Sequence, residues 1–334
     1  LNIPLAATSC CYQLNGAKPI CKPLFSTRFT STKSEPQLEL LTHYNGAVFF
    51  IDLLGMGALT QGLIPLEAED YTPWLEHHEY EHNNQFLAAA VVAEFRKLLA
   101  EYAQLHTDVT VTQLSDGAFI WSRQPSAVVT AAGTLMSEAI KNGVLCRGGM
   151  AYGQIIETNQ AHALGRFIVG QAVTDAVKLE GLAKGARVLV NSDFPHSLWE
   201  RDKAFAERMQ PLFEPFTNPL DFSVYDEFKW YLVPKEAYQS QDLRLLSKED
   251  RIKFTKIRLK LANVVRCAPR LSWNSRTGAG RVQVTASISI LAQNHALGVS
   301  HNFEWNDSVE KRSQSIVNSI NQTLEADTDY VYRH

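Results

Sequence analysis

Two aspartates stand where a carboxylate could grip a cation. Asp52 closes the apolar run of "FFIDLLGMGAL", residues 49–59, and Gly55 and Gly57 follow it. Asp116 stands in "LSDGAFI", in what reads as a turn between two short apolar stretches. An acid ending a buried strand is either a solvated strand end or a ligand that holds a metal ion against a phosphate. Hard divalent ions take oxygen donors, and paired Asp side chains from neighbouring strands supply them. A glycine turn after the first acid lets backbone N–H groups come close to phosphate oxygens, where a Cβ would intrude. Asp52 alone does not decide between the two readings. The elements that position it do.

"NGAVFFIDLLG" reads as a central strand. The spacing of Phe86, Ala90, Val91, Phe95 and Leu98 predicts one long helix over 75–106. Residues 107–122 read as a hairpin around Ser115-Asp116-Gly117. Pro125 and Gly143 bracket a helix in the usual asymmetry. "VLCRGGMAYGQII" is a strand with glycines, "GQAVTDAVKLEGLAKG" a helix stopped by Gly185, "ARVLVNSDF" a strand, and 221–235 one or two strands more. Strand, helix, hairpin, helix, strand, helix, strand is not a βαβ repeat. It is an α+β order, with helices flanking one sheet. Residues 1–43 read as an N-terminal arm, 44–235 as the main domain and 236–334 as a C-terminal accessory region. In the last, 248–265 reads as a basic amphipathic helix, "RVQVTASISILA" (281–292) as a strand by its alternation, and 307–327 as a polar helix.

The chain has 334 residues, 45% hydrophobic and 20% charged, with a formal net charge of −3. That is an ordinary globular composition, and it argues against a nucleic-acid binder relying on a basic surface. No apolar stretch is long enough to span a bilayer, so no membrane association is expected. The opening residues lack a basic head and a long apolar centre, so no signal peptide is expected. Cys10, Cys11, Cys21, Cys146 and Cys267 show no CxxC spacing and fit reduced thiols in the cytoplasm.

Taken in order, the pieces resemble the class III nucleotide cyclase domain, a ferredoxin-like, palm-type sheet flanked by helices. Its pattern runs F-x-D-x-x-G, a hairpin G-D, R-x-G-x-x-x-G, then G-x-x-V-N-x-A-x-R-L-E on a helix. Here these read Phe50-Ile51-Asp52-Leu53-Leu54-Gly55, Ser115-Asp116, Arg147-Gly148-Gly149 with Gly153, and Gly170 through Glu180. The resemblance covers roughly residues 44–235. It implies that Asp52 and Asp116 hold two divalent ions, Mn²⁺ or Mg²⁺, with the backbone oxygen of Leu53 as a further ligand. Leu54, Gly55, Met56 and Gly57 then form a phosphate cradle. It further implies a homodimer with shared active sites, the Asp pair from one chain and a helix face from the other.

Departures narrow the reading. Where the family places an Asn and an Arg one helical turn apart, this chain has Thr174 and Lys178. Their i, i+4 spacing keeps both on one face, but Lys lacks the two-pronged donor of Arg. Adenylate cyclases of this class read the purine with a Lys four residues before the second metal Asp and an Asp seven before the Asn. Those positions hold Thr112 and Phe167. Adenine would lose its hydrogen-bond partners there, and Phe167 with Phe50 would shape the pocket for another ring. With its altered base readers and added C-terminal segment, the chain looks like the pyrimidine nucleotide cyclases of bacterial Pycsar antiphage systems. That likeness implies a cytoplasmic homodimer making cyclic UMP or cyclic CMP, with a separate effector sensing the product. An adenylate or guanylate cyclase with unusual base contacts and a catalytically degenerate nucleotide-binding dimerisation domain stay open as alternatives.

Lys229 in "EFKWYLV" falls where cyclases often carry a triphosphate-binding lysine; the other reading is an edge-strand lysine. Arg147 reads as support for its strand. The run "HHEYEH" at 77–82 offers metal-ligating types without an HExxH spacing, and reads as the solvated entry of the long helix. "RIKFTKIRLK" at 251–260 reads as a partly buried helix with a wet basic face.

Overall fold

The run from Ala47 to Leu53 alternates between two apolar environments, and both are filled. A computed structural model describes residues 41–75, 82–158, 166–217, 222–231 and, further on, Thr277, Gly278, Gly280, Val282, Gln283 and Ala286. All belong to one unit spanning Glu39–His334. The expected boundary near 236, the cysteines other than Cys146, and the helices expected over 248–265 and 307–327 lie outside the described residues.

Strand β1, Leu41–Leu53, is followed by two short helices, α1 (Met56–Thr60) and α2 (Ala68–Leu75), and by the long helix α3 (Asn84–Leu105). The hairpin β2 (Thr110–Leu114) and β3 (Gly117–Ser122) comes next, then α4 (Pro125–Lys141) and the long strand β4 (Cys146–Thr158). A two-residue strand β5 (Ile168–Val169) leads into α5 (Gln171–Leu182) and β6 (Val188–Val190). Helices α6 (Asp193–Arg201) and α7 (Lys203–Met209) precede the final pair, β7 (Phe213–Thr217) and β8 (Val224–Phe228). One sheet runs β2-β3-β1-β4-β6-β8-β7, with β5 paired to β4. All its pairings are antiparallel except β4 with β6. The architecture is the expected α+β one, a central sheet flanked by helices.

β1 lies inside the sheet, bonded to β3 on one side and β4 on the other. Ala47, Phe49, Ile51 and Leu53 face a core shared with α3 and α4 and with Phe194, Leu198 and Ala206 of α6 and α7. Val48 faces a second core with Trp121, Ala172, Ala176 and Leu179, and Phe50 packs at its edge. Period-two alternation thus places Asp52 on the α5 side, two residues beyond Phe50. Helix α5 can lie close to β4 because Gly149 has no side chain: a Cβ there would stand 2.1 Å from the Ala176 carbonyl oxygen and 2.7 Å from the Glu180 nitrogen.

The structure corrects several expectations. Helix α3 begins at Asn84, because the side chain of Asn83 caps the Gln85 amide at 2.7 Å; of the 77–82 run only His82 is described, and it is not helical. The stretch "SDF" at 192–194 opens α6 instead of extending β6. In 281–292, expected as a strand, the described residues Val282, Gln283 and Ala286 are helical. Alternation over a few residues yields to tertiary partners there. The first residues of β1, Leu41–His43, belonged to the expected arm.

Candidate active site

Residue pairing brings the carboxylates together. Asp52 lies opposite Gly117 of β3 and opposite Arg147 of β4. The Leu53 amide donates to the Asp116 carbonyl at 3.1 Å, tying the hairpin turn to the end of β1. In that turn Ser115 takes a left-handed φ of 58°. A positive φ at the first of two turn residues suits the twist of a tight hairpin. Asp52 and Asp116 are therefore neighbours, each partly buried, and Asp116's charge acts on Asp52.

A third carboxylate joins them. Ala172, Ala176 and Glu180 fall at i, i+4 and i+8 on the buried face of α5, so Glu180 is carried inward with the alanines. Arg147 binds both acids: its Nη2 lies 3.6 Å from Asp52 Oδ2, and its Nε meets Glu180 Oε1 as an ion pair not aligned as a hydrogen bond. Its Nη1 donates to the Ala183 carbonyl at 3.5 Å. One guanidinium does not offset three carboxylates. Burial first, then the charges of Glu180 and Asp116, push Asp52 up to about 7, against the lowering effect of Arg147.

This has a consequence for stability. A carboxyl whose pKa is higher folded than unfolded favours the folded state below its unfolded pKa, and that benefit is lost as pH rises through the folded value. Metal-free protein is therefore expected to lose thermal stability between about pH 4 and pH 7 as Asp52 ionises. Thermal melts of wild type and Asp52→Asn across that range check it, with a flatter profile expected for the variant.

The donor set suits a hard cation. Two strand-end carboxylates and backbone oxygens are what Mg²⁺ or Mn²⁺ uses when substrate phosphates complete the shell. Burial raises Asp52 most, and the crowding of negative charge that adds to it is what such an ion would relieve. Asp52 and Asp116 would hold it, with Leu53 able to contribute only its backbone, since its side chain is in the core. Among the described residues, no group of three or more His, Cys, Asp or Glu side chains is assembled to ligate a metal by itself.

The cradle is narrower than expected. Gly55, at φ 87°, turns the chain from β1 into α1, a conformation glycine adopts freely. The Leu54 amide already donates to the Leu145 carbonyl at 2.8 Å, so it is not available to a phosphate. Leu54 and Met56 bury their side chains, which leaves backbone groups of Gly55, Met56 and Gly57 as the cradle. Met56 and Gly57 line a hollow of about 650 Å³ together with Thr60, Arg96, Ser115 and Asp116.

Beside Asp52 lies an uncharged shelf. Phe50 pairs in register with Phe119, their rings 4.6 Å apart, and Phe119 pairs with Thr112. The Thr112 hydroxyl donates to the Arg166 carbonyl at 3.4 Å, which brings it next to Phe167, itself 53% exposed. The sequence-expected base positions, Phe50, Thr112 and Phe167, therefore come together in one chain.

Thr174 and Lys178 lie one helical turn apart. Both are exposed on α5, and the Thr174 hydroxyl donates back to the Gly170 carbonyl at 3.2 Å. Lys178 lines a groove of about 500 Å³ with Asp175, Asn191, Asp193, Tyr225 and Asp226. At about 100° per residue, Lys178 and Glu180 point in nearly opposite directions. Lys229 departs furthest from expectation. It is 2% exposed, and its ammonium lies 3.0 Å from Glu227 and 3.7 Å from Glu214. Glu227 also takes Arg187 at 2.8 Å, forming a buried ion network that holds Lys229 as a structural cation instead of a triphosphate ligand.

Glu180 and Arg147 are the site residues that sequence reasoning did not assign. The 172/176/180 spacing carried the signal for Glu180, since it puts a carboxylate on an apolar helix face. For Arg147 the signal was pairing: β4 must place some residue opposite Asp52.

No family model and no curated protein matches this chain. Among solved structures it is similar to a bacterial light-regulated adenylyl cyclase, with 15% identity, TM-score 0.40, and coverage of 58% of this chain and 54% of that one. It is also similar to the guanylyl cyclase domain of the RhoGC fusion protein from the aquatic fungus Blastocladiella emersonii, with 13% identity, TM-score 0.37, and 58% and 98% coverage. The adenylyl cyclase CyaB from P. aeruginosa gives 15% identity, TM-score 0.34, and 56% and 94% coverage. The chain thus spans about half the length of the light-regulated cyclase. No described helix is long and apolar enough to cross a membrane.

Proposed function

We propose that this protein is a nucleotide cyclase of the class III type that converts a pyrimidine nucleoside triphosphate, UTP or CTP, into its 3′,5′-cyclic monophosphate and pyrophosphate. The observation that carries the reading is the meeting of Asp52 and Asp116 at the end of β1, beside the Gly55 turn. In the reaction the ribose 3′ oxygen bonds to the α-phosphorus, the bond from that phosphorus to the β-bridging oxygen breaks, and the hydroxyl proton leaves to solvent. Asp52 and Asp116 would hold two divalent ions, Mn²⁺ or Mg²⁺, which when bound would acidify the hydroxyl and neutralise the leaving charge.

The chain's own residues do the rest. Asp52 and Asp116 fix the charge under the phosphates, and backbone groups of Gly55, Met56 and Gly57 receive phosphate oxygens. Phe50 and Phe119 give the base a flat apolar surface, and Thr112 offers a single hydroxyl at its edge. With no charged side chain at Thr112 or Phe167, the partners adenine needs are missing, which supports a pyrimidine. Lys178 supplies positive charge to the transition state from a second copy of the chain, because within one copy it faces away from Glu180. On this reading the enzyme is a cytoplasmic homodimer that serves antiphage defence through a separate cyclic-nucleotide-sensing effector.

The deciding assay offers each of the four NTPs with Mn²⁺ and identifies products by mass. Cyclic UMP or cyclic CMP is expected; cyclic AMP or GMP would make it a purine cyclase of the same type. Binding without pyrophosphate release would make it a nucleotide-binding module, a reading that the self-bonded Thr174 hydroxyl favours. The shared site has its own test. Mixing Asp52→Ala and Lys178→Ala chains, each inactive alone, should restore about a quarter of wild-type activity, since half the dimers are mixed and each keeps one intact site of two. No recovery in a mixture proven to hold heterodimers overturns the shared site.

A further inference from the structure

The segment joining α5 to β6 is held from two sides. On the sheet side, the Ala183 carbonyl accepts from Arg147 at 3.5 Å and the Arg187 carbonyl accepts from the Gly148 amide at 2.8 Å. On the other side stands the helical turn near the C-terminus. Its start is capped by the Thr277 hydroxyl, which accepts from the Gly280 amide at 3.0 Å. Gln283 and Ala286 fall three residues apart on one face of that turn. The Gln283 side-chain oxygen accepts from the Gly185 amide at 2.6 Å, and the Ala286 carbonyl accepts from Arg187 Nη2 at 3.2 Å. Gln283 and Ala286, outside the expected catalytic domain, thus grip the loop that Arg147 touches.

We propose that Gln283 is a positioning residue for the cation site: it anchors the 183–187 loop, and the loop holds Arg147 back from Asp52. This rests on the reading of Asp52 as a cation ligand. Arg147 divides one guanidinium among Asp52, Glu180 and the Ala183 carbonyl. While Ala183 stays in place, one prong is committed to it, and Asp52 Oδ2 lies 3.6 Å from Nη2, beyond a close charge-assisted contact. The Ala186 carbonyl stays bound to Trp230 Nε1 at 2.8 Å, and Arg187 stays bound to the Ala286 carbonyl. Once Gly185 loses its anchor, the loop therefore shifts locally over 183–185 and turns the Ala183 carbonyl away from Arg147. The freed guanidinium then settles on the Asp52 carboxylate and competes with a divalent cation for the same oxygen. The coupling runs through contiguous polar contacts, Gln283 to Gly185, Ala183 to Arg147, and Arg147 to Asp52. Gln283 thereby sets how readily the centre takes up metal.

The test uses the full-length chain and Mn²⁺ alone, without nucleotide. Gln283→Met keeps the side chain's bulk and removes the acceptor; Gln283→Glu keeps an acceptor for the Gly185 amide. Calorimetric titration should show Mn²⁺ binding weakened about fivefold in Gln283→Met, the factor one neutral hydrogen bond of ordinary strength supplies. Gln283→Glu should bind like wild type, and hydrogen exchange at the Gly185 amide should quicken only in Gln283→Met. Equal Mn²⁺ affinity in all three proteins, equal weakening in both variants, or no Mn²⁺ binding by wild type overturns the proposal. The four-NTP assay separates it from the cyclase reading. If metal affinity responds to Gln283 but no triphosphate is turned over, the positioning role stands and the cyclase falls. If turnover occurs and metal affinity does not respond, the reverse holds.

Discussion

Asp52→Asn is expected to give a folded protein whose cyclic nucleotide output drops by at least about 10²–10³-fold, the cost of removing one preorganised charge from a reaction centre. The reason is charge: the amide keeps the shape and one oxygen but loses the anion that a cation over a triphosphate requires. The stability readout runs the other way. Burial, Glu180 and Asp116 all oppose ionisation of Asp52, so the neutral side chain should leave the metal-free protein at least as stable as wild type at pH 8. Product analysis with UTP and CTP, paired with urea unfolding, reads both halves. An inactive variant that is also markedly less stable would show Asp52 to be a structural anion for Arg147, not a ligand.

Gly149→Ala is expected to destabilise the protein by about 3 kcal/mol, the upper end for forcing an extra methyl group into a packed interior. The new Cβ would meet helix backbone, 2.1 Å from the Ala176 oxygen and 2.7 Å from the Glu180 nitrogen, and backbone cannot swing aside as a side-chain tip can. Helix α5 must therefore lift from β4. Glu180 and Lys178 ride on that helix, so activity should fall with stability. Gly181→Ala is the control. It lies in the same helix with nothing within 4 Å of the added carbon, so it should be neutral or stabilising by about 0.5–1 kcal/mol through helix propensity. Denaturation midpoints at unchanged slope would establish the contrast; equal midpoints for the two variants would refute the close-packing account.

What could be read before the structure was mostly local. The run around Phe49 names a central strand because both its faces are apolar, and Pro125 with Gly143 names the ends of α4. The Ser115-Asp116 turn names a hairpin. Each signal is held within a dozen residues. Of the candidate site, the placement of Asp52 and Asp116 could be read from a strand end and a hairpin turn, and Phe50 and Thr112 lie on either side of Phe119 in register. It was not legible where a distant partner decides. Lys229 resembles a free cation until Glu227 and Glu214 are seen around it. The alternation in 281–292 resembles a strand until Gln283 and Ala286 are seen to meet the 183–187 loop from one helix face. Glu180 stood in between, since its spacing from Ala172 and Ala176 was visible but not its use.

The placement of β1 shapes how this protein must fail. Asp52 lies near the end of the strand that is laddered on both sides, between two filled cores. Fraying begins at sheet edges, where β2 and β7 have a neighbour on one side only. Warming should therefore loosen the β2 rim, and with it the turn that carries Asp116, while Asp52 keeps its place, so the two carboxylates should part before the whole molecule unfolds.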